Sequence, residues 1–527
     1  MKKFTLSLIS CTALMLGGII MPADAQSSYV RTYGQTGAPN ATNAPAALAQ
    51  CSNGNLLLCW NETSQGYGTI SRIDATGYPV WSMSLGDANA QTSHFINSVG
   101  ENTDGTIWVF GTHSTATFTR QYFLTELSQA GAVNWTKFYY SFDEIGYANP
   151  SCHKMYDDGY MINLSVSSHL QLLRTDADGN LMWGEVFKTD SNEYKHPGFA
   201  GVPTYDGGFV MTGKEGNSLS LVKINLTGGV DWGFSFDPLA AGYCHTKDIC
   251  QLSDGSLIAG GFINQYAFLM KVDIAGNISW IKHFMVNSFN YMCVYRIHPL
   301  SNGNFLACGT NDNMGENSGD FMLKMDSNGN LISAVQHNSV VSVLGMGIEG
   351  RSMVNQTDEL FVAQCESYFP GSPVTLSKIG GSFETSCNTT PFTITLNSLS
   401  VPSMSSIMNT VWTDSDGIEV TGSVLSTFPI NLDVSFLCVP TGVTEPVENS
   451  VSNLYPNPSA NGSVLSFKSQ VPARWTIVDA TGRTVLEGRA QAGSNTLPDM
   501  VLSSGMYVFR LTDDEGNILS QEKLIRD

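Results

Sequence analysis

The chain has 527 residues, a formal net charge of −20, 51 glycines and only 14% charged residues. Its length allows roughly two to four domains. The acidic balance argues against a nucleic-acid or anionic-lipid partner, since phosphates require clustered Lys and Arg, and the composition is that of a turn-rich all-β protein.

Residues 1–25 read as a signal peptide: Lys2 and Lys3 form the basic start, 6–20 the apolar run, and Ala23-Asp24-Ala25 the small-residue cleavage site. The apolar run is shorter than the ~20 residues a membrane span needs. No later segment is long and apolar enough to span, so no transmembrane segment is expected after cleavage. Of the 11 cysteines all but Cys11 lie in the mature chain, with no C-x-x-C pair. Export permits disulfides, but Cys59 and Cys308, each five residues after a turn glycine (Gly54 and Gly303), read as buried strand thiols.

A strand is predicted over 29–33, followed by a Gly/Pro/Asn/Ala-rich stretch. Repeats begin next. Their unit is clearest over 206–232, as turn, strand, loop, strand, turn and a strand opening with Trp. Gly54, Gly105, Gly159, Gly207, Gly255 and Gly303 mark the first turn, at steps of 51, 54, 48, 48 and 48 residues, each preceded by Asp or Asn. Glycine suits such a turn because it takes positive φ without a steric penalty. A second turn recurs at Asp74 to Gly77, Asp176 to Gly179, Asp273 to Gly276 and Asp326 to Gly329. Trp81, Trp135, Trp183, Trp232 and Trp280 follow the second turn; Ser333 takes the place in the sixth copy, and a degraded seventh begins near Asp358. The Trp side chains are expected to pack between neighbouring sheets.

A hairpin of this size cannot bury its own faces, so copies must stack. About four strands per period of about 48 residues predicts a β-propeller of about seven four-stranded blades over 26–387. The strand pair before Ser52 is expected to complete the last blade and close the ring. The repeats resemble the propeller-like domains of large exported proteins from Bacteroidetes-type bacteria, through the D-G-x-x-hydrophobic…D-x-x-G-x-x-x-W pattern.

Residues 388–440 form a Ser/Thr-rich β segment bracketed by Cys387 and Cys438, which are candidates for a disulfide, and 441–453 is a polar linker. From 454 the chain reads as a small Ig-like sandwich of six or seven short strands. It carries Tyr455-Pro456-Asn457-Pro458, then a D-x-x-G-R turn ending in Gly482-Arg483, then L-x-x-G-x-Y with Gly505 and Tyr507, then a basic last strand with Lys523. These motifs, in this order, resemble the type A C-terminal sorting domain of type IX secretion cargo. The resemblance implies a route through the periplasm and across the outer membrane by the type IX machinery, removal of the sorting domain at the linker, and a passenger that is secreted or attached to the outer-membrane surface.

No catalytic constellation stands out: G-x-S-x-G, H-E-x-x-H and P-loop patterns are absent, and the nine His are spread singly, which suggests no metal site. A G-x-G-x-x-G match at 345–350 lacks a βαβ setting and reads as coincidence. Asp176-Ala-Asp178-Gly179-Asn180 has oxygen ligands suited to Ca2+, but its sister turns lack the second Asp; it reads as a hairpin turn, and no cofactor is implied. Tyr147, Tyr194, Tyr243 and Tyr291 lie 12 or 13 residues before a turn glycine, with His196 and His245 two residues after their Tyr. Loops at that place in a propeller converge on one face, where Tyr suits a glycan or protein ligand; packing between blades is the plainer reading. The expected function is a non-enzymatic binding or adhesion module for a glycan, peptide or envelope partner. The alternative is a hydrolase or lyase at the propeller axis, which a carboxylate pair facing the channel would favour. Asp190, Glu193, Asp237 and Asp248 fall near the inter-blade loops without regular register.

Overall fold

The computed structural model describes the strands and tight turns between residues 29 and 438 and between 464 and 526. The stretches 1–28, 36–42, 63–65, 87–92, 115–119, 141–149, 167–168, 189–196, 216–217, 238–243, 286–290, 313–318, 338–350, 366–372, 381–388 and 439–463, shorter pieces within 392–431 and 470–517, and 527 lie outside the described residues. The predicted signal peptide, the linker and the 345–350 glycine pattern fall among these.

The described part before residue 440 forms seven antiparallel sheets. Six are built on four consecutive strands, from the blade that opens with Asn43–Gln50 to the one that opens with Tyr291–Pro299. The seventh takes Ser352–Val354, Leu360–Cys365 and Val374–Ile379 from the end of the repeats and Tyr29–Gln35 from the start of the chain. The innermost strands touch in chain order, and Asn43–Gln50 meets Ser352–Val354, so the ring closes. The protein is all-β, with a seven-bladed propeller. Only the first strand of the expected N-terminal pair completes the last blade; the second is the innermost strand of blade 1.

The first turns are left-handed at Gly54, Gly105, Gly207, Gly255 and Gly303, with φ of 81–85°. In blades 3 and 7 the left-handed residue is an aspartate, Asp158 (φ 67°) and Asp358 (φ 60°). The cadence therefore runs through Asp158 rather than Gly159. In the second turn, Asp176, Asp273 and Asp326 each accept backbone N–H groups two and four residues ahead at 2.8–3.0 Å. The 176–180 segment is thus the same hairpin turn as its sisters, with the Asp176 carboxylate engaged by Asp178 N–H and Asn180.

The Trp cadence joins each blade to the next. Trp81, Trp183, Trp232 and Trp280 pair across the sheet with Arg72, Arg174, Lys223 and Lys271. Each of these Trp, and Trp135, sits half-buried against the second-turn glycine of the following blade: Gly131, Gly179, Gly228, Gly276 and Gly329. Indole N–H groups donate to carbonyls of that turn, from Trp81 to Gln129 O (3.0 Å), Trp183 to Leu226 O (3.1 Å) and Trp232 to Ile274 O (3.1 Å). Arg72 Nη1 donates to the same Gln129 carbonyl at 3.0 Å. The Trp therefore packs, half-buried, at the margin of the core between two blades and covers the neighbouring turn. In blade 7 the place belongs to Tyr29, opposite Lys378, and Tyr33 Oη donates to Gly77 O of blade 1 at 2.7 Å. The chain start thus supplies the last clasp of the ring.

Every blade has a fifth strand, and all seven come from 389–438. Thr389–Pro391 adds to blade 6, Thr395–Leu399 to blade 5, Ser405–Ser406 to blade 4, Val411–Asp414 to blade 3, Glu419–Gly422 to blade 2, Thr427–Pro429 to blade 1 and Leu432–Cys438 to blade 7. The segment is a belt that runs once around the ring against the order of the blades. Each piece pairs antiparallel with an outer strand whose N–H and C=O groups would otherwise form an open edge. Leu425 is buried in the core between blades 1 and 2, and Leu396, Leu399, Leu432 and Val434 pack on other inter-blade cores. Buried free thiols sit on the second strands at Cys59 and Cys308. Cys438 ends the belt; Cys387 lies outside the described residues, and so does any bridge between them.

After residue 463, the strands Thr484–Ala490, Ala473–Asp479, Gly505–Thr512 and Ile518–Arg526 form one sheet in that order, and Ser466–Ser469 pairs with Gly493–Thr496. Phe467, Trp475, Ile477, Phe509, Leu511 and Leu524 fill the core of this small β domain.

Candidate functional site

The seven innermost strands turn their unpaired edges to the propeller axis, so their backbone groups need partners from elsewhere. A β-bulge recurs on these strands, between Pro45 and Ala47, Ile96 and Ser98, Pro197 and Ala200, Thr246 and Asp248, and Val294 and Arg296. Bulges re-aim side chains. Just past the bulge stand Ser98, Asp248 and Arg296, all seven residues before the left-handed turn residue, and Arg351 holds the same position in blade 7.

Side chains of this layer reach across to the next blade's edge. Ser98 Oγ accepts the Cys152 N–H at 3.1 Å, and Asp248 Oδ2 accepts the Ile297 N–H at 2.7 Å. Arg351 Nε donates to Pro45 O at 3.1 Å, closing blade 7 onto blade 1. Asp248 also pairs with Arg296 at 3.5 Å. Near the lower end, where each innermost strand meets its first turn, His298 Nε2 lies 2.9 Å from Ser352 Oγ.

Between these strands is a cavity of about 390 Å³ on the axis. Its wall carries Lys154, Arg296 and Arg351 as cations and His153, His298, Asn97, Ser98 and Ser352 as neutral polar groups; Asp248 is the one carboxylate among the described lining residues. Burial raises the Asp248 pKa, and Arg296 and the Ile297 N–H oppose the rise. Burial, then the charge of Arg296, pushes His153 down to about 4 and His298 down to about 3. Both rings keep part of their surface open to the cavity, which moderates the effect without changing its sign. A histidine whose folded pKa lies below its unfolded value of about 6.5 takes up a proton more readily on unfolding. Stability is therefore expected to decline as pH falls from about 6.5 towards about 4, and the His153→Gln/His298→Gln variant should flatten the fall of Tm over that window. At lower pH the second-turn carboxylates add a further loss. In Asp273 and Asp326 burial acts to raise the pKa, but hydrogen bonds from Asn277 and Asn330 outweigh it and hold the carboxyl below its ordinary value.

Of the residues predicted for a rim, Tyr147, Tyr194, His196 and Tyr243 lie outside the described residues. His245 and Tyr291 are brought together at the upper end of blades 5 and 6, where the innermost strands begin. His245 is buried and stacks on Phe262 at 5.2 Å between centroids, and Tyr291, half-buried, meets Phe262 in an edge-to-face arrangement at 5.2 Å. Asp190 and Glu193 are outside the described residues; Asp248 belongs to an innermost strand. In the C-terminal domain Tyr455, Pro456, Asn457, Pro458 and Gly482 are outside them too. Arg483 bonds back to Asp479 through its N–H (3.0 Å) and Nε (3.1 Å). Gly505 opens the Gly505–Thr512 strand, Tyr507 Oη donates to Ser503 O at 2.9 Å, and Lys523 lies on Ile518–Arg526. Of the charged channel residues only Asp248 is singled out by the sequence, without its register; Lys154, Arg296 and Arg351 are not. The signal that finds Asp248, Arg296 and Arg351 is their shared distance of seven residues from the left-handed turn residue; Lys154 stands four residues before Asp158, outside that register.

Residues 453–526 match the family described as a secretion system C-terminal sorting domain. The chain thus carries a type IX sorting domain, which implies secretion across the outer membrane. No curated protein matches the chain. Among solved structures, a member of the DUF4221 family from Bacteroides vulgatus is similar at 9% identity and a TM-score of 0.35, over 67% of this chain and 98% of that one. A protein of unknown function from Bacteroides caccae is similar at 14% identity and a TM-score of 0.32, over 48% and 93%. The soluble aldose sugar dehydrogenase of Escherichia coli is similar at 12% identity and a TM-score of 0.30, over 56% and 99%.

Proposed function

We propose that the chain is an exported binding module, surface-attached or released, whose propeller takes a glycan or peptide ligand at its axial channel without transforming it. The observation that carries this is the make-up of the channel wall. Its polar groups converge on an open cavity of ligand size. General acid–base hydrolysis of a glycoside uses two carboxyl groups about 5–10 Å apart, whereas the described wall offers Asp248 alone, already engaged by Arg296 and the Ile297 N–H. Asp248 is matched by Arg296 and Lys154 by Asp158, so with Arg351 the described wall keeps a small positive balance, which disfavours a basic ligand and admits neutral or acidic ones.

Glycan and peptide arrays probed with the mature chain are expected to retain specific probes unchanged. Asn97→Trp, which fills the cavity, should abolish that retention while leaving Tm near the wild-type value. Cleavage of a retained probe, or full retention by Asn97→Trp, would refute a binding module that works through the channel.

A further inference from the structure

The first turns ring the lower mouth of the axial channel. Two residues before the left-handed position, five blades carry small or polar residues: Ser52, Thr103, Ser253, Ser301 and Gln356. Several of these tie neighbouring turns together. Thr103 Oγ1 donates to Asp158 Oδ1 at 3.1 Å, and Ser301 bonds Asp358 through its N–H (2.9 Å) and hydroxyl (2.7 Å). Blades 3 and 4, which are adjacent, instead carry Tyr156 and Tyr205. Both rings are more than half exposed, at 59% and 56%, and they lie against each other with centroids 5.6 Å apart at 49°.

Leaving two large rings in water costs hydrophobic free energy that the other five blades avoid at this position, and such local departures from a pattern are expected at functional sites. The platform is rigid. Each Tyr sits in a tight turn closed by backbone bonds, Met155 N–H to Gly159 O and Thr204 N–H to Gly208 O, both 2.9 Å. Gln251 of blade 5 fixes the Tyr205 N–H at 2.9 Å. Tyr156 follows the channel-lining Lys154 by two residues, and Tyr205 follows the channel-lining Pro203 by two, so the platform borders the cavity.

The surroundings select the ligand. The flanking carboxylates are each matched by a cation: Asp157 by Arg174, Asp158 by Lys154 and Asp206 by Lys223. Their side chains nevertheless keep 42–50% of their surface open. The patch therefore offers two aromatic faces and hydrogen-bond acceptors with little net charge. Two rings are far less than the ~800 Å² per partner of a stable protein interface. A pyranose ring has what this patch lacks, an apolar C–H face for the tyrosines and hydroxyl donors for the carboxylates.

We infer that Tyr156 and Tyr205 form a sugar-stacking subsite at the lower mouth of the channel, selective for neutral pyranose oligosaccharides. This rests on the binding-module reading and names its ligand class.

The test uses the mature chain and calorimetric titration with neutral hexasaccharides of glucose, mannose and xylose, alongside oligogalacturonate as the acidic probe. At least one neutral probe is expected to bind in preference to the acidic one. The Tyr156→Ala/Tyr205→Ala variant should lose affinity about tenfold or more, with Tm within a few degrees of wild type because both rings are exposed. The conservative Tyr156→Phe/Tyr205→Phe variant should retain most of the affinity. Neutral binding that survives the double alanine substitution but is lost in Asn97→Trp overturns the subsite and leaves the binding module standing. Binding of the acidic probe alone, or of none of the four, overturns the subsite as well.

Discussion

Deleting residues 389–438 is expected to be the most damaging change that leaves every repeat intact: the ring should lose more than about 5 kcal/mol, a large share of a domain's whole stability, and become prone to aggregation. Two costs combine. Leu425, Leu396, Leu399, Leu432 and Val434 leave inter-blade cores, at roughly 1 kcal/mol or more each. All seven outer strands then become open edges, each a template for pairing with another chain. The most exposed is Tyr29–Gln35, the strand that closes the ring, which pairs with Val374–Ile379 on one side and with the end of the belt, Leu432–Cys438, on the other. A comparison of the 26–440 chain with a 26–388 chain, by thermal melting and light scattering, measures the effect. The longer chain should melt like the full protein and stay monodisperse. A shorter chain that matches it in Tm would show that the belt contributes little. Hydrogen exchange offers a second readout, since amides of Tyr29–Gln35 should lose protection when the belt is absent.

The repeats were legible because their signals are local: a turn dipeptide, a strand, a second turn and a Trp, all within about thirty residues. The fold follows from the period alone. The belt was not legible, although its traces are present. Its strands are two to seven residues long, and they equal the blades in number. Their partners, however, lie up to about four hundred residues away, as Val30 does from Cys438, and a short Ser/Thr-rich strand has no periodicity that names the edge it will meet. The same limit applies to the site. Arg296, Arg351 and Asp248 share a distance from the first turn but not a charge sign, and only the closed ring places them in one layer. Tyr156 and Tyr205 were visible as residues, but their significance depends on the five other blades, which fix what that position usually holds. The repeat also carries a third signal, a cation opposite the Trp at Arg72, Arg174, Lys223 and Lys271. It is readable once the register is known.

Trp232→Ala is expected to cost about 2–4 kcal/mol, somewhat less than the loss of a fully buried aromatic, because the ring is only half-buried. Three contacts go at once: the stack on Phe234 at 5.6 Å, the hydrogen bond to Ile274 O at 3.1 Å, and the cover over Gly276. A second substitution separates the clasp from ordinary packing. Gly276 has φ of 89°, so Gly276→Ala strains the backbone whatever surrounds it. In the wild-type chain the added methyl would also sit 2.9 Å from Trp232 Cδ2. Gly276→Ala should therefore destabilise more when Trp232 is present than when it is Ala, and the double-mutant cycle should give a coupling of about 1 kcal/mol or more. Additive effects would mean that the indole does not hold the neighbouring turn. Since five blades repeat the same contact between an indole and the next turn's glycine, additivity there would also remove the reason the chain places each Trp four residues after the second-turn Gly of its own blade. A measured coupling would make that spacing the element that sets one blade against the next.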